Sequence, residues 1–179
     1  MYFIHTTIRT ERNEVFMNLE KKRNFLNAMI GKRICSISRE GGLVSFGFGD
    51  LMLSFHYDQN IMPEFVLHFM CPFRIEMNEK IILGDNDLYI PSDRKSYPVN
   101  LDIQNSTMFD KIVGAFIYEL NTQEIEEINL TSNGDISIIF GAGAINSFIC
   151  ASEGEAWRFF KTQTNEQHLV ASCGNIIFQ

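Results

Sequence analysis

Polar and apolar positions change period along the chain, and they do so twice. Residues 16–30, FMNLEKKRNFLNAMI, set Phe16, Leu19, Phe25, Leu26, Met29 and Ile30 along one face of a helix. Asn18 is a cap for a shorter alternative starting at Leu19, with Lys22 and Arg23 outward, and Gly31 is a stop. Beyond it the period moves toward two. Residues 33–38 alternate imperfectly, Gly41 and Gly42 turn the chain, and 43–48 is a strand. Gly49 and Asp50 predict a tight corner into a strand with Leu51, Leu53 and Phe55 on one face. A polar connection with Pro63 follows over 58–64, then extended pieces at 65–68 and 73–77 around Pro72. Residues 81–83 and 88–90 flank a turn at 84–87, and 91–98, PSDRKSYP, read as a linker. The first fifteen residues read as a short strand and a charged turn.

The second half restarts with an extended piece at 99–103. Asn105 or Ser106 caps a short helix through Met108, Phe109, Ile112 and Val113, ended by Gly114. Residues 115–120 and 128–130 read as extended, with a polar connection or short helical turn at 122–127. Residues 132–135, SNGD, are the strongest hairpin turn in the chain. Strands are predicted at 136–140, 146–150 and 157–160 around a corner at 141–144 and a turn at 152–155. Another turn falls at Asn165 and Glu166. A last hairpin joins 169–172 to 175–178.

The two halves echo each other. Ile34, Val44, Phe46, Gly47, Gly49, Leu51 and Phe55 match Ile128, Ile138, Phe140, Gly141, Gly143, Ile145 and Ile149, 94 positions on. After a length change Phe73 and Arg74 match Trp157 and Arg158. After another, Asn78 and Glu79 through Ile90 match Asn165 and Glu166 through Ile177. The expected fold is α+β: two tandem similar modules, 1–98 and 99–179, each a short helix plus antiparallel strands, packed into one β-rich globule. A half-sheet with one apolar face is poorly stable alone, so the modules either pack face to face or continue one sheet.

Composition sharpens this picture in three ways. Sixteen phenylalanines against one tryptophan predict an aromatic sheet interior. A net charge of −7, with one dense basic cluster at Lys21, Lys22 and Arg23, argues against nucleic acid and for a basic protein partner. No apolar run has membrane-spanning length and no signal peptide is visible, so a cytoplasmic location is expected, with Cys35, Cys71, Cys150 and Cys173 as reduced, buried thiols.

Candidate chemistry is sparse. His5, His56, His68 and His168 lack metal-ligand spacing, although folding can gather His56, His68 and Asp58; no metal and no cofactor are expected. The glycines at 47, 49, 141 and 143 lie between strands, where no helix N-terminus offers free N–H groups to a phosphate. Enzymatic function is not expected. The candidate binding residues are Asp50 and Asp58, which straddle one strand, and Glu153 and Glu155 beside the lone Trp157, an aromatic anchor next to carboxylates. The alternatives are a small-ligand binder or enzyme, with a deep polar pocket, and a self-assembling module, with an exposed apolar patch or open edge.

The helix ending in Ile30, Gly31 and Lys32, the segment LVSFGFGD at 43–50 with Leu51, Met52 and Leu53, and their second copy in Ile112, Val113 and Gly114, GDISIIF at 134–140 and EAWR at 155–158, carry a resemblance. The chain resembles, over roughly residues 25–179, small duplicated bacterial proteins of uncharacterised function that include immunity proteins encoded near secreted polymorphic toxins. The resemblance implies a cytoplasmic protein that neutralises a toxin by direct binding. It implies no catalytic residue. The second corner, 141–144, lacks the counterpart of Asp50 and departs from the pattern.

Overall fold

The computed structural model describes residues 19–53, 61–141, 143–164 and 167–179. The strand expected in the first fifteen residues, Phe16, His56, Asp58 and the turn at Asn165 and Glu166 lie outside them.

Helix α1 covers residues 19–26 and tightens into a 3-10 turn, Asn27–Met29, before Gly31 at φ +78° releases the chain. Strands β1 (Ile34–Glu40), β2 (Leu43–Leu53), β3 (Ile61–Phe69), β4 (Phe73–Met77) and β5 (Lys80–Gly84) follow, then a 3-10 segment, Asp85–Tyr89. Helix α2 (Met108–Leu120) opens the second half. It leads into β6 (Ile125–Leu130), β7 (Ile136–Phe140), β8 (Gly143–Ser147), β9 (Glu155–Lys161), β10 (Leu169–Ser172) and β11 (Asn175–Phe178). The fold is α+β with two antiparallel sheets.

The six-stranded sheet runs β1-β2-β3-β9-β10-β11 and the five-stranded sheet runs β6-β7-β8-β4-β5. Exchanging β1–β5 with β6–β10 turns the five-stranded order into the first five strands of the six-stranded one, to which β11 is added at the edge. Each module therefore contributes its three-strand meander to one sheet and its following hairpin to the other, and each sheet holds strands from both modules. The seams are β3–β9 and β4–β8, five paired positions each. Short crossings between sheets, Met70 to Pro72 and residues 148–154, make the exchange possible.

Ladder register fixes the equivalences. Ile34 pairs with Phe48 and Ile125 with Phe140, and each ladder then slips by one residue. At the seams Phe69 faces Trp157 as Ser147 faces Phe73. So Trp157 is the counterpart of Phe73, as the sequence pattern has it. Phe46, however, corresponds to Ile138, and Phe140 to Phe48. The 94-residue offset is two residues out in these strands, because a period-two pattern looks the same after a shift of two.

Alternating inner faces fill one interior. Phe46, Phe48, Phe69, Phe109, Phe140, Phe159 and Trp157 are fully buried. Phe73 bridges the sheets, with its ring 5.5 Å from Phe46 and 5.7 Å from Phe69. The helices close the two open sides. Phe25 of α1 packs edge-on against Phe159 and Phe178, and Arg23 Nη2 donates to Leu130 O at 2.9 Å. On the other side α2 is tied to β1 by a buried ion pair between Arg39 and Asp110.

Several local readings are corrected. β2 runs through Gly49 and Asp50 as a bulge instead of turning. Pro63 sits inside β3, where it pairs with Leu51 of β2 and its carbonyl accepts from Thr162 Oγ1, instead of lying in a connection. Residues 88–90 belong to the 3-10 segment and its exit, and 99–103 form turns. The cap of α2 is Thr107, neither Asn105 nor Ser106. Thr107 Oγ1 accepts from Asp110 N and Asp110 Oδ2 accepts from Thr107 N, both at 3.1 Å. That box and the burial of Phe109 and Leu120 carry α2 through Gly114, whose cost is only about 1 kcal/mol. β8 begins at Gly143, three residues before the predicted strand.

Candidate functional site

What the duplicated plan requires is present twice, so departures from it mark what the fold does not need. Two departures are large. Between Gly49 and Phe65 the first module has fifteen residues, 50–64; between their counterparts Gly141 and Gly143 the second has one, Ala142. The extra residues lengthen β2 and β3 into a ribbon in which Leu51 pairs with Pro63, Met52 with Met62 and Leu53 with Ile61. Between β9 and β10 the second module has the longer connection, 162–168, where β4 and β5 are joined by Asn78 and Glu79 alone.

These two departures meet. Thr162 N donates to Glu64 O at 2.9 Å, and Thr162 Oγ1 donates to Pro63 O. They build up one end of the six-stranded sheet. On the ribbon Leu51, Leu53 and Ile61 are 57%, 61% and 65% exposed, an arrangement that burial alone disfavours. At its foot Lys32 Nζ donates to Glu64 Oε2 at 2.6 Å and lies 6.0 Å from the Phe65 ring centroid.

Asp50 is exposed on the β2 bulge. It borders a groove of about 450 Å³ with Lys32, Arg33, Cys35, Leu51 and Asn121. Arg33 pairs with Glu124 at 2.8 Å across the junction of the modules. Burial, with the nearby Asp50 charge as a lesser cause, pushes the Cys35 thiol up and keeps it protonated.

The other candidates lie elsewhere or serve the fold. Glu153 is exposed in the turn before β9. Glu155 grips Arg158 with both oxygens at 2.7 Å, and that bond holds its carboxyl below the usual range. Trp157 is fully buried and donates from Nε1 to Gly134 O at 2.6 Å, so it is a core residue and no surface anchor. Glu155 and Trp157 are close in sequence but project to opposite sides of the sheet. Cys150 and Cys173 are exposed, contrary to the expectation of buried thiols.

Outside the sheet, Arg158 Nη1 donates to His168 Nδ1 at 3.1 Å. The His168 ring stacks on Phe160 with centroids 4.5 Å apart, and His68 meets the same ring edge-on at 5.2 Å. Burial first, and the Arg158 charge second, lower both imidazoles and hold them neutral at pH 7. Sequence motifs do not reveal this cluster. Its one sequence signal is the change of offset between the halves, which shows where connections differ in length.

Among the described residues no three His, Cys, Asp or Glu side chains converge as a metal site, and no helix is long and apolar enough to cross a membrane. No family model matches the sequence, and no curated protein and no solved structure matches it either.

Proposed function

We propose that the chain is a non-enzymatic protein-binding protein that grips a basic partner with the β2–β3 ribbon. The observation that carries this reading is the ribbon itself: an insertion that the second module does without, holding three large apolar side chains in water next to Asp50. Exposed aliphatic side chains beside an acidic residue suit a partner surface with an apolar centre and a basic rim. The net charge of −7 favours the same partner by steering its approach. Neutralisation of a bacterial toxin is the specific form that the sequence resemblance suggests, with the toxin as the basic partner.

The test replaces residues 49–64 by Asn-Gly, a two-residue hairpin turn that closes the Phe48–Phe65 pair as the second module closes its own. The variant is expected to keep a cooperative urea transition, followed through the buried Trp157, and to lose binding to the product of the neighbouring gene in calorimetry. Binding unchanged by the replacement overturns the reading. So does collapse of the fold, since the ribbon is then structural.

A further inference from the structure

The edge of a sheet exposes unpaired backbone groups, which a fold either covers or uses. Most edges here are covered or blunted. On β1, Gln104 Nε2 donates to Arg39 O at 3.3 Å. On β6, Gly31 N donates to Ile125 O at 2.8 Å, Ile125 N donates to Lys32 O at 2.9 Å, and Arg23 Nη2 donates to Leu130 O. β11 lies beside α1, whose Leu19 and Lys22 border one groove with Asn175, Ile176 and Ile177. β5 is five residues long and opens on Lys80, two features that blunt an edge.

The outer part of β2 is different. β1 starts at Ile34, which pairs with Phe48, and beyond that pair Gly49 N donates to Arg33 O at 2.9 Å. Residues 50–53 run on with β3 on one side and no strand of the described residues on the other. The register shows which groups face the free side. Pro63 has no N–H to exchange with Leu51, so both residues of that pair turn their backbone groups away from each other. Leu51 therefore directs its N–H and C=O to the free side, and Leu53, two residues on, does the same. Leu51, Leu53 and Ile61 share one face of the ribbon, because Leu53 and Ile61 are paired. This edge adjoins the groove of about 450 Å³ that Asp50 and Leu51 border. Both cations of the groove are already paired, Lys32 with Glu64 and Arg33 with Glu124. Asp50 has no ion-pair partner among the described residues, so it leaves the groove one uncompensated negative charge.

We infer, resting on the ribbon's proposed role, that the basic partner is held by strand addition. An extended segment of the partner pairs with Leu51 and Leu53 along the free edge of β2, lays apolar side chains on the face of Leu51, Leu53 and Ile61, and sets a lysine or arginine beside Asp50. Residues 50–53 span about 13 Å at ~3.3 Å per residue, room for a segment of about four residues. The two leucines offer N–H donors and C=O acceptors, so backbone pairing supplies the grip, and the exposed side chains with Asp50 supply the selectivity. A second copy of the chain fits this edge less well, since it brings two molecules of net charge −7 together.

The test follows amide hydrogen exchange in the full chain, alone and with the product of the neighbouring gene. The Leu51 and Leu53 amides are expected to slow about a hundredfold or more in the complex. The Met52 amide, which faces β3, is the internal control and is protected in both states. Leu53→Pro removes one edge N–H while leaving the β3 ladder, and is expected to weaken binding roughly thirtyfold. Leu53→Ala keeps that N–H and is expected to weaken binding only about threefold. Asp50→Lys is expected to weaken it about tenfold at low salt and less at high salt. Where Leu53→Pro also exposes the Met52 amide, exchange in the unmodified chain decides. Binding that survives the replacement of residues 49–64, or no binding by the unmodified chain, overturns the ribbon's role and strand addition together. Binding that needs the ribbon but leaves the Leu51 and Leu53 amides exchanging as in the free chain overturns strand addition alone. Equal effects of Leu53→Pro and Leu53→Ala do the same. Protection of those two amides in the chain by itself also overturns it, since the edge is then already occupied.

Discussion

Arg39 is the severest test of how the helices are held. Its side chain has no solvent exposure, and its guanidinium is almost fully used. Nε and Nη2 donate to the two oxygens of Asp110 at 2.8 Å each, Nη2 also donates to Ile103 O at 2.8 Å, and Nη1 donates to Leu101 O. Arg39→Met strips Asp110 of its counter-charge and leaves two carbonyls without this donor. Breaking a buried pair from one side costs about 3–5 kcal/mol, a large share of the ~5–15 kcal/mol that holds a domain together. Asp110→Asn keeps the Thr107 cap but leaves the guanidinium unneutralised, and is expected to cost about 2–4 kcal/mol. The double variant is expected to fall short of the sum by about 2 kcal/mol, since each single change already abolishes the pair. Urea unfolding monitored through Trp157 reads all four corners of the cycle.

Two controls separate burial from surface attraction. Raising salt from about 0.1 M to 1 M shortens the screening length from ~10 to ~3 Å, yet the coupling is expected to persist because water does not reach Arg39. Acid is the other control. Burial by itself raises the Asp110 carboxyl. The Arg39 guanidinium bond, the Thr107 N–H and hydroxyl and the Arg39 charge outweigh it and hold the group below its ordinary value. Its contribution is therefore fully present above the unfolded value, about pH 3.9. It is lost as pH falls through the lower folded value, and Arg39→Met should flatten that acid limb. A coupling below about 0.5 kcal/mol, or one halved by salt, refutes the assignment of Arg39 as the buried tie between β1 and α2.

Other expectations are simpler. A Cβ on Gly143 would sit 1.7 Å from Glu76 O, so Gly143→Ala should cost about 3 kcal/mol or more by urea unfolding. Gly114→Ala meets nothing within 4 Å on α2 and should stabilise by about 0.5–1 kcal/mol; equal effects of the two would contradict the β4–β8 register. Burial pushes the Cys71 thiol up to about 12, whereas the Ser172 hydroxyl lowers that of exposed Cys173. A thiol reagent at neutral pH should therefore modify Cys173 rapidly and Cys71 last, as read by mass spectrometry. Fragments 1–98 and 99–179 should each lack a cooperative transition, because each leaves a hairpin without its seam, and should regain one when mixed; a transition in either alone refutes the exchanged topology.

Much of the strand content was legible because turn chemistry and period agree. Gly134 in SNGD, Gly174, and Gly41 with Gly42 each stand at a hairpin between alternating strands, and the structure has those hairpins. The failures have physical causes. Residues 88–90, at the end of the 3-10 segment, and residues 115–120, in α2, are apolar runs too short for period to separate strand from helix, and tertiary burial decided them. Gly114 and Gly49 carry turn signals that longer elements override. Trp157 looks like an anchor beside carboxylates, but on a strand its neighbour Glu155 and the buried indole need only one slipped residue, at the Ala171/Ser172 irregularity, to part company. No sequence pattern announces the Arg158 and His168 cluster. It is assembled from β9 and the residue preceding β10, which only the ladder brings side by side.

A duplicated fold supplies its own control, and that control locates function better than residue type does. Wherever the modules coincide, the residues answer to packing: Trp157 replaces Phe73 at a seam, Phe140 replaces Phe48 beside a ladder slip, and both pairs are buried. Selection for stability accounts for those positions, whatever the protein does. It does not account for a ribbon with Leu51, Leu53 and Ile61 in water, nor for the Gln163 amide nitrogen, buried with no hydrogen-bond partner among the described residues, since each works against stability and neither has a counterpart. Two such burdens arising independently could fall anywhere on the surface. They fall together, joined by Thr162 to Pro63 and Glu64, and Met62 of the ribbon lines a cavity that Gln163 also lines. Local stability forgone twice at one end of one sheet supports the proposal that this end is a binding surface, in a fold otherwise built by repetition.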